Sequence, residues 1–133
     1  HAQLEHVMDV IDEIWSPARH NKYETFPRPV AQVPRWLGVN SVALAAIAGM
    51  KCDGVNVRAS HTQRAEILGA AIQAANGKPF EATVWETFDE SLLDSSNNTR
   101  KQWASEGVNR VILLMFRGVD VAAIERAGAH LRR

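Results

Sequence analysis

The feature of this chain that most restricts its fold is a regular alternation of strand-like and helical runs from Arg35 to the C-terminal end. The strand-like runs are short and apolar, and the stretches between them show helical spacing of apolar residues. Parallel strands need long crossover connections of this kind, and such crossovers are right-handed. The pattern predicts four βα units, with strands at Arg35–Val39, Gly54–Val57, Glu81–Glu86 and Arg110–Phe116.

An amphipathic helix precedes the four units. Six apolar side chains recur at i, i+3, i+4 and i+7 from about His1 to Trp15, and Pro17 ends the helix. Residues 16–34 contain four prolines and no periodicity, which predicts an irregular surface connection. The chain starts at His1, directly in helix-forming sequence, and this start favours a fragment of a longer protein.

Capping signals predict where the later helices begin. Ser60 followed by Gln63 is a capping box for the helix after the second strand. Asp120 caps the last helix, whose predicted inner face consists of Val121, Ile124, Ala127 and Leu131.

The last strand is apolar at every position from Val111 to Phe116, rather than at alternate positions. Strands that are buried on both faces show this pattern, as in parallel sheets covered by helices. We therefore expect this strand to be buried on both sides.

The predicted fold class is α/β, with parallel βα units in a single domain spanning residues 1–133. Two architectures fit the order of the elements: half of a TIM-type (β/α)8 barrel, and a small doubly wound parallel sheet. An open half-barrel has two unpaired edges, and we expect an uncovered apolar inner face as well. Such a half should pair with a missing N-terminal half or with a second copy as a homo-oligomer.

Composition excludes several classes of protein. The 133 residues carry a formal net charge of zero, which argues against a basic nucleic-acid surface. No apolar run approaches the ~20 residues that span a bilayer, so no membrane partner is expected. Cys52 is the single cysteine, which excludes disulfide scaffolds and makes the cytoplasm the default location. The five histidines show no metal-ligand spacing.

The turn after the first strand is the strongest candidate site. Gly38, Val39, Asn40 and Ser41 lead directly into an apolar helix. Unpaired N–H groups at a helix N-terminus, on the carboxyl edge of a parallel sheet, favour an anion such as a phosphate. The alternative interpretation is a tight βα turn in which Ser41 only caps the helix.

Other polar residues follow the later strands. Asn56 lies near the end of the second strand and Arg58 directly follows it, where the Arg58 guanidinium suits a phosphate or a carboxylate. The alternative interpretation of Arg58 is an exposed loop arginine. The carboxylates after the third strand are candidates for a general base, although capping and solvation explain Asp89 and Glu90 better. A second anion contact after the last strand is expected at most from Arg117 and Gly118.

Two motifs carry a resemblance to a known family. Pro34-Arg35-Trp36-Leu37-Gly38 with Ser41, followed by an alanine-rich helix and then Asp53-Gly54-Val55-Asn56, resembles the luciferase-like monooxygenases. The later strands and helices agree with that family in order and spacing. The resemblance covers essentially all 133 residues, but only the carboxyl-terminal half of a family member. The chain departs from the family at Val39, where the family has a second glycine, and at Val55, where it has a tryptophan.

The resemblance implies a (β/α)8 oxidoreductase that uses FMN or the deazaflavin F420 on a small-molecule substrate. It places the cofactor phosphate at the turn 38–41. Their position after the second strand adds Asn56 and Arg58 to the expected cofactor-binding residues. It implies no catalytic residue here, since the family's acid–base residues come mostly from the first half of the barrel. The alternative function is a non-catalytic half-barrel that self-associates as a binding or scaffold protein.

Overall fold

Four parallel strands form one sheet in the order β1-β2-β3-β4 in the computed structural model, which describes residues 1–16, 29–116 and 118–131. The elements are α1 (Ala2–Trp15), β1 (Trp36–Gly38), α2 (Val42–Lys51), β2 (Gly54–Arg58), α3 (Arg64–Ala75), β3 (Glu81–Thr87), a 3₁₀ turn (Glu90–Leu93), α4 (Asn98–Ser105), β4 (Arg110–Leu114) and α5 (Val121–Leu131). The predicted α/β class and the four parallel βα units are confirmed. Strands that are consecutive in the chain are neighbours in the sheet. Half of a (β/α)8 barrel has this strand order, and one half of a doubly wound sheet has it as well, so both predicted architectures fit.

The first face of the sheet forms the hydrophobic core. Strand register places Leu37, Val55 and Ala82 side by side, followed by a second row of Val57, Val84 and Val111. Helices α2 and α3 pack over this face with fully buried small and branched side chains: Ala45, Ala48, Ile67, Leu68 and Ala71. Small residues on α2 and α3 let the helices approach closely, and a Cβ on Gly49 would overlap the backbone of α3.

The second face of the sheet is more polar than expected. Alternation along the strands brings four rows of side chains to this face. They are Trp36 and Glu81; Asn56, Thr83 and Arg110; Arg58, Trp85 and Ile112; and Thr87 and Leu114. The expectation of an apolar inner face is therefore wrong, because an ion pair, two cation–π contacts and further polar side chains lie on this surface. Arg110 lies 4.6 Å from the Trp36 ring and 2.6 Å from the Glu81 carboxylate.

The expectation that the last strand is buried on both faces is also wrong. Val111 to Leu114 are only half-buried, and Phe116 beyond them is exposed. Within the described ranges β4 pairs with β3 alone, so its other edge has no strand beside it. An apolar sequence cannot by itself distinguish an edge strand from a central one.

Two helix predictions need correction. Helix α3 begins at Arg64 instead of directly after Ser60, and neither half of the predicted capping box makes a side-chain cap. A turn built on Arg58 and His61 delays the helix, since their carbonyls accept the N–H groups of His61 and Arg64. In α5, Asp120 does cap Ala123 at 3.0 Å, as predicted. Among the described side chains of that helix, however, Ala123 is buried, whereas Val121 and Ile124 are exposed, and the predicted Leu131 side chain lies outside those described.

Arg35 connects α1 to the sheet. Its backbone N–H donates to Asp53 Oδ2 at 2.8 Å, and its guanidinium donates to the Lys51 carbonyl at 3.0 Å. The same guanidinium pairs with Asp12 of α1 at 2.7 Å. Residues 29–35, which lead into β1, contain no helix or strand, as predicted for that part of 16–34. Residues 17–28 of the predicted connection lie outside the described residues.

A half-buried ion pair connects α3 to the residue that follows α4. Arg64 donates to Glu106 through Nε and Nη2, both at 2.7 Å, and also to the Ala59 carbonyl. The side chains are 15% and 12% exposed. The guanidinium lowers the pKa of Glu106, and the carboxylate raises the pKa of Arg64.

We expect Glu106→Gln to lower the free energy of unfolding by about 2 kcal/mol at neutral pH, because it leaves a half-buried guanidinium unpaired. The folded-state pKa of Glu106 is depressed, so the contribution of the ion pair is complete above the ordinary carboxyl pKa. It disappears as the pH falls through the lower, folded-state value. Urea unfolding of the parent protein and of Glu106→Gln from pH 7 to pH 3 measures this contribution. The difference between their free energies of unfolding should disappear at the acid end of that range.

The exposed variant Glu125→Gln serves as the control, with an expected change within about 0.5 kcal/mol. A gap for Glu106→Gln that stayed constant across the pH range would contradict the ionic origin of the effect.

No helix of the described residues has both the length and the apolar character to cross a membrane.

Candidate functional site

A cleft of about 390 Å³ lies at the carboxyl ends of β1, β2 and β3. We call it the carboxyl-edge cleft, and seven residues line it: Gly38, Val39, Asn40, Asn56, Arg58, His61 and Trp85. Five of the six predicted site residues therefore meet in one place. The sixth, Ser41, is the N-cap of α2 and adjoins the cleft in sequence. The convergence follows from parallel pairing, which puts the ends of neighbouring strands at one edge.

The turn 38–41 offers fewer donors than expected. The Val39 N–H donates to the Asn56 carbonyl at 3.0 Å, so it continues the sheet and is not available to a ligand. The Val39 side chain is buried in the core. Ser41 Oγ accepts the Leu44 N–H at 3.4 Å, which confirms its role as a cap. The backbone N–H groups of Asn40 and Ser41 remain for an anion.

Gly38 is not required by backbone conformation. Three glycines in the described residues adopt a positive φ, and Gly38 is not among them. A Cβ built on Gly38 meets nothing within 4 Å. The glycine leaves the mouth of the cleft open instead of permitting an otherwise forbidden turn.

Arg58 provides the positive charge of the cleft. Its guanidinium carbon lies 5.3 Å from the centroid of the Trp85 ring, within the range of a cation–π contact. Trp85 in turn meets Phe116 edge to face, with ring centroids 6.2 Å apart. Arg58 is exposed and forms no ion pair with any described carboxylate, so the stacking on Trp85 holds it at the cleft while its N–H groups stay open.

His61 also lines the cleft, although it was not among the predicted site residues. Its Nδ1 accepts the Gln63 N–H at 3.1 Å, and its backbone N–H donates to the Arg58 carbonyl at 3.0 Å. An accepting Nδ1 means that the proton of the neutral ring is on Nε2. Neither His61 nor Trp85 belongs to a sequence motif, since Trp85 is an interior residue of β3 and His61 enters through the turn after β2.

The carboxylates after β3 have structural partners. Asp89 caps the 3₁₀ turn by accepting the Ser91 N–H at 2.9 Å. Glu90 pairs with Arg126 at 2.9 Å, which lowers the pKa of the Glu90 carboxyl. Glu86 accepts the N–H of the adjacent Thr87 at 2.8 Å. None of the three lines the carboxyl-edge cleft. Gly118 lines a separate groove beside β4, and Arg117 lies outside the described residues.

Cys52 is buried, and its burial raises the pKa of the thiol. Among the described residues, no group of three or more His, Cys, Asp or Glu side chains is close enough to hold a metal ion.

No protein-family model matches the chain, and no curated protein matches it at a significant level.

We expect Gly38→Ala to leave the free energy of unfolding within about 0.5 kcal/mol of the parent, because the new methyl group meets open space. Gly49→Ala is the matched substitution at a packed site, where the added Cβ overlaps the Ala71 carbonyl and the Ala74 side chain. It should cost about 2 kcal/mol or more. Thermal unfolding of both variants checks this, and equal losses would contradict an open cleft mouth.

Proposed function

We propose that this chain is the carboxyl-terminal half of a luciferase-like, flavin- or F420-dependent oxidoreductase of the cytoplasm. In this proposal the carboxyl-edge cleft holds the phosphate of FMN or F420, and a small-molecule substrate binds beside the cofactor ring. The observation that supports it is the meeting of five of the six predicted site residues in one cleft. The order of the Gly38–Ser41 and Asp53–Asn56 motifs supports the choice of family.

The electrostatics of the cleft favour an anion. Arg58 contributes a charge that no described carboxylate neutralises, and no acidic residue is found among the seven that line the cleft. The backbone N–H groups of Asn40 and Ser41 lie at the positive end of the α2 dipole. Since Nδ1 of His61 accepts the Gln63 N–H, its Nε2–H is a further donor, so a phosphate would meet the Arg58 cation and several N–H groups.

The aromatic side chains beside the cleft suit a cofactor with a planar ring. Trp85 and Phe116 form a continuous edge-to-face pair next to Arg58. Bound flavin or F420 would supply the hydride or electron transfer, whereas the described residues bind and orient it. We assign no acid–base residue to this chain, because the carboxylates after β3 are engaged outside the cleft.

Titration of FMN, followed by the quenching of its fluorescence, tests the site. We expect Arg58→Ala to weaken FMN binding about tenfold or more, since it removes the charge-assisted contact to the phosphate. Lys101→Ala removes an equal charge from an exposed position on α4 and should leave the affinity unchanged. Riboflavin, which lacks the phosphate, should bind both variants and the parent alike. An equal affinity of the parent for FMN and riboflavin would contradict a phosphate site.

A second candidate function is self-association as a binding or scaffold protein. The half-buried apolar strand β4 favours it, because its outer edge has no described strand beside it. Exposed Val121 and Ile124 on the following helix extend the apolar surface. Unpaired, apolar edges of this kind pair with other strands.

Light scattering across a range of concentrations tests association. We expect the parent to form dimers or larger species, and Ile112→Lys to shift the population toward monomer by placing a charge on β4. Met50→Lys adds the same charge to an exposed residue of α2 and should not change the oligomeric state. A monodisperse monomer of the parent at high concentration would contradict this candidate.

A further inference from the structure

Thr83 is a buried polar side chain that orients Asn56 in the carboxyl-edge cleft. It is the buried polar residue of the described core, with no exposed surface, and it is the register partner of Asn56. Its Oγ1 lies 2.9 Å from the Val55 carbonyl oxygen and 2.9 Å from Asn56 Oδ1. Both neighbours are close enough for a hydrogen bond, yet a threonine hydroxyl has one proton to donate.

The chemistry of the two contacts determines the orientation of the Asn56 amide. With Asn56 Oδ1 toward Thr83, the single hydroxyl proton satisfies one oxygen and leaves the other in lone-pair contact with Oγ1. An amide oxygen and nitrogen are told apart by the hydrogen bonds that they make, and turning the amide by 180° exchanges the two atoms at the same position. If the amide nitrogen faces Thr83, the hydroxyl donates to the Val55 carbonyl and accepts from Asn56 Nδ2–H, so both contacts are hydrogen bonds. A buried hydroxyl strongly favours the fully satisfied arrangement.

The consequence is a fixed acceptor in the cleft. In the turned orientation Nδ2 donates to Thr83 and Asn56 Oδ1 is left for a ligand in the cleft, which Asn56 lines. Arg58 is two residues further along the same face of β2. Two residues of a parallel strand span about 6.6 Å, so the acceptor and the cation are separated by about that distance along the strand.

We propose that the carboxyl-edge cleft selects a phosphate ester of a polyhydroxy chain, with a hydroxyl donating to Asn56 Oδ1 and the phosphate bound at Arg58. This inference rests on the proposed function and specifies which part of the cofactor the cleft recognises. A ligand with a phosphate but no hydroxyl binds the Arg58 guanidinium but leaves Asn56 Oδ1 without a hydrogen-bond donor. A polyol without the phosphate loses the charge-assisted contact. Asn56 is thus a specificity-determining residue, and Thr83 is a positioning residue that acts through it.

The orientation is tested without any ligand by hydrogen exchange of the side-chain amide in ¹⁵N-labelled protein. We expect one Asn56 Nδ2 proton to exchange more slowly than the amides of exposed asparagines such as Asn98. Thr83→Val, which has nearly the same shape and no hydroxyl, should abolish that protection, and Thr83→Ser should retain it. Fast exchange of both Asn56 amide protons in the parent protein would overturn the inference while leaving the phosphate site standing.

Selectivity is tested by calorimetry with ribitol 5-phosphate and inorganic phosphate as probes. We expect Asn56→Leu to lower the affinity for ribitol 5-phosphate about tenfold, since the contact to the hydroxyl is lost. The affinity for inorganic phosphate should change by less than about twofold, because that probe makes no such contact. Arg58→Ala should weaken both probes. The remote amide substitution Gln73→Leu, on the exposed side of α3, is the control and should change neither.

Each result has a defined meaning. Equal losses of affinity for both probes in Asn56→Leu, or no loss of affinity for either probe, would overturn the selectivity. Failure of the unsubstituted chain to bind either probe would overturn the phosphate site and with it the selectivity. A protected Asn56 amide would then show that the failure lies in the proposed function rather than in the geometry of the Thr83–Asn56 pair.

Discussion

The parallel pairing of β2 with β1 on one side and β3 on the other is the constraint on which the rest of the structure depends. It puts Val55 and Val57 fully inside, where α2 and α3 cover them. The same pairing brings the ends of three strands to one edge. The Val39 N–H bond to the Asn56 carbonyl continues the β1–β2 ladder to the start of the turn, so the position of the candidate site follows directly from strand register.

The two faces of the sheet have different physical roles. The face under α2 and α3 is a dry core of small and branched side chains, packed closely enough that Gly49 has no room for a methyl group. The second face holds paired charges and aromatic rings: Glu81 with Arg110, Arg110 over Trp36, and Arg58 over Trp85. Because this surface is largely polar, the apolar surface that favours association is concentrated at β4 and α5.

Several parts of the fold could be predicted from the sequence because their signals are local. The spacing of apolar residues in α1, the capping side chains of Ser41 and Asp120, and the turn residues between strands act within a few residues of themselves. The predictions that failed depended on distant partners. The burial of Val111–Phe116 depends on which strands flank it, and the inner face of α5 depends on how that helix docks.

The residues of the candidate site also fall into those that the sequence predicts and those that only the structure reveals. Gly38, Asn40, Asn56 and Arg58 could be named in advance, because each follows a strand and ligands bind at that edge of parallel sheets. Trp85 and His61 could not, because the first is a strand residue like any other until register sets it opposite Arg58, and the second enters through a turn that replaced the expected capping box. The hydrogen bond from the Val39 N–H to the Asn56 carbonyl could also be found only in the structure.

By itself, the sequence determined the α/β class, the four βα units and the edge at which the polar strand ends collect, because periodicity and turn chemistry are written along the chain. Only the tertiary structure decided which N–H groups remain unpaired, which strand lies at the edge and which buried hydroxyl contacts the Asn56 amide. Those properties arise from contacts between residues far apart in the chain, such as Thr83 with Asn56, and no local pattern contains them.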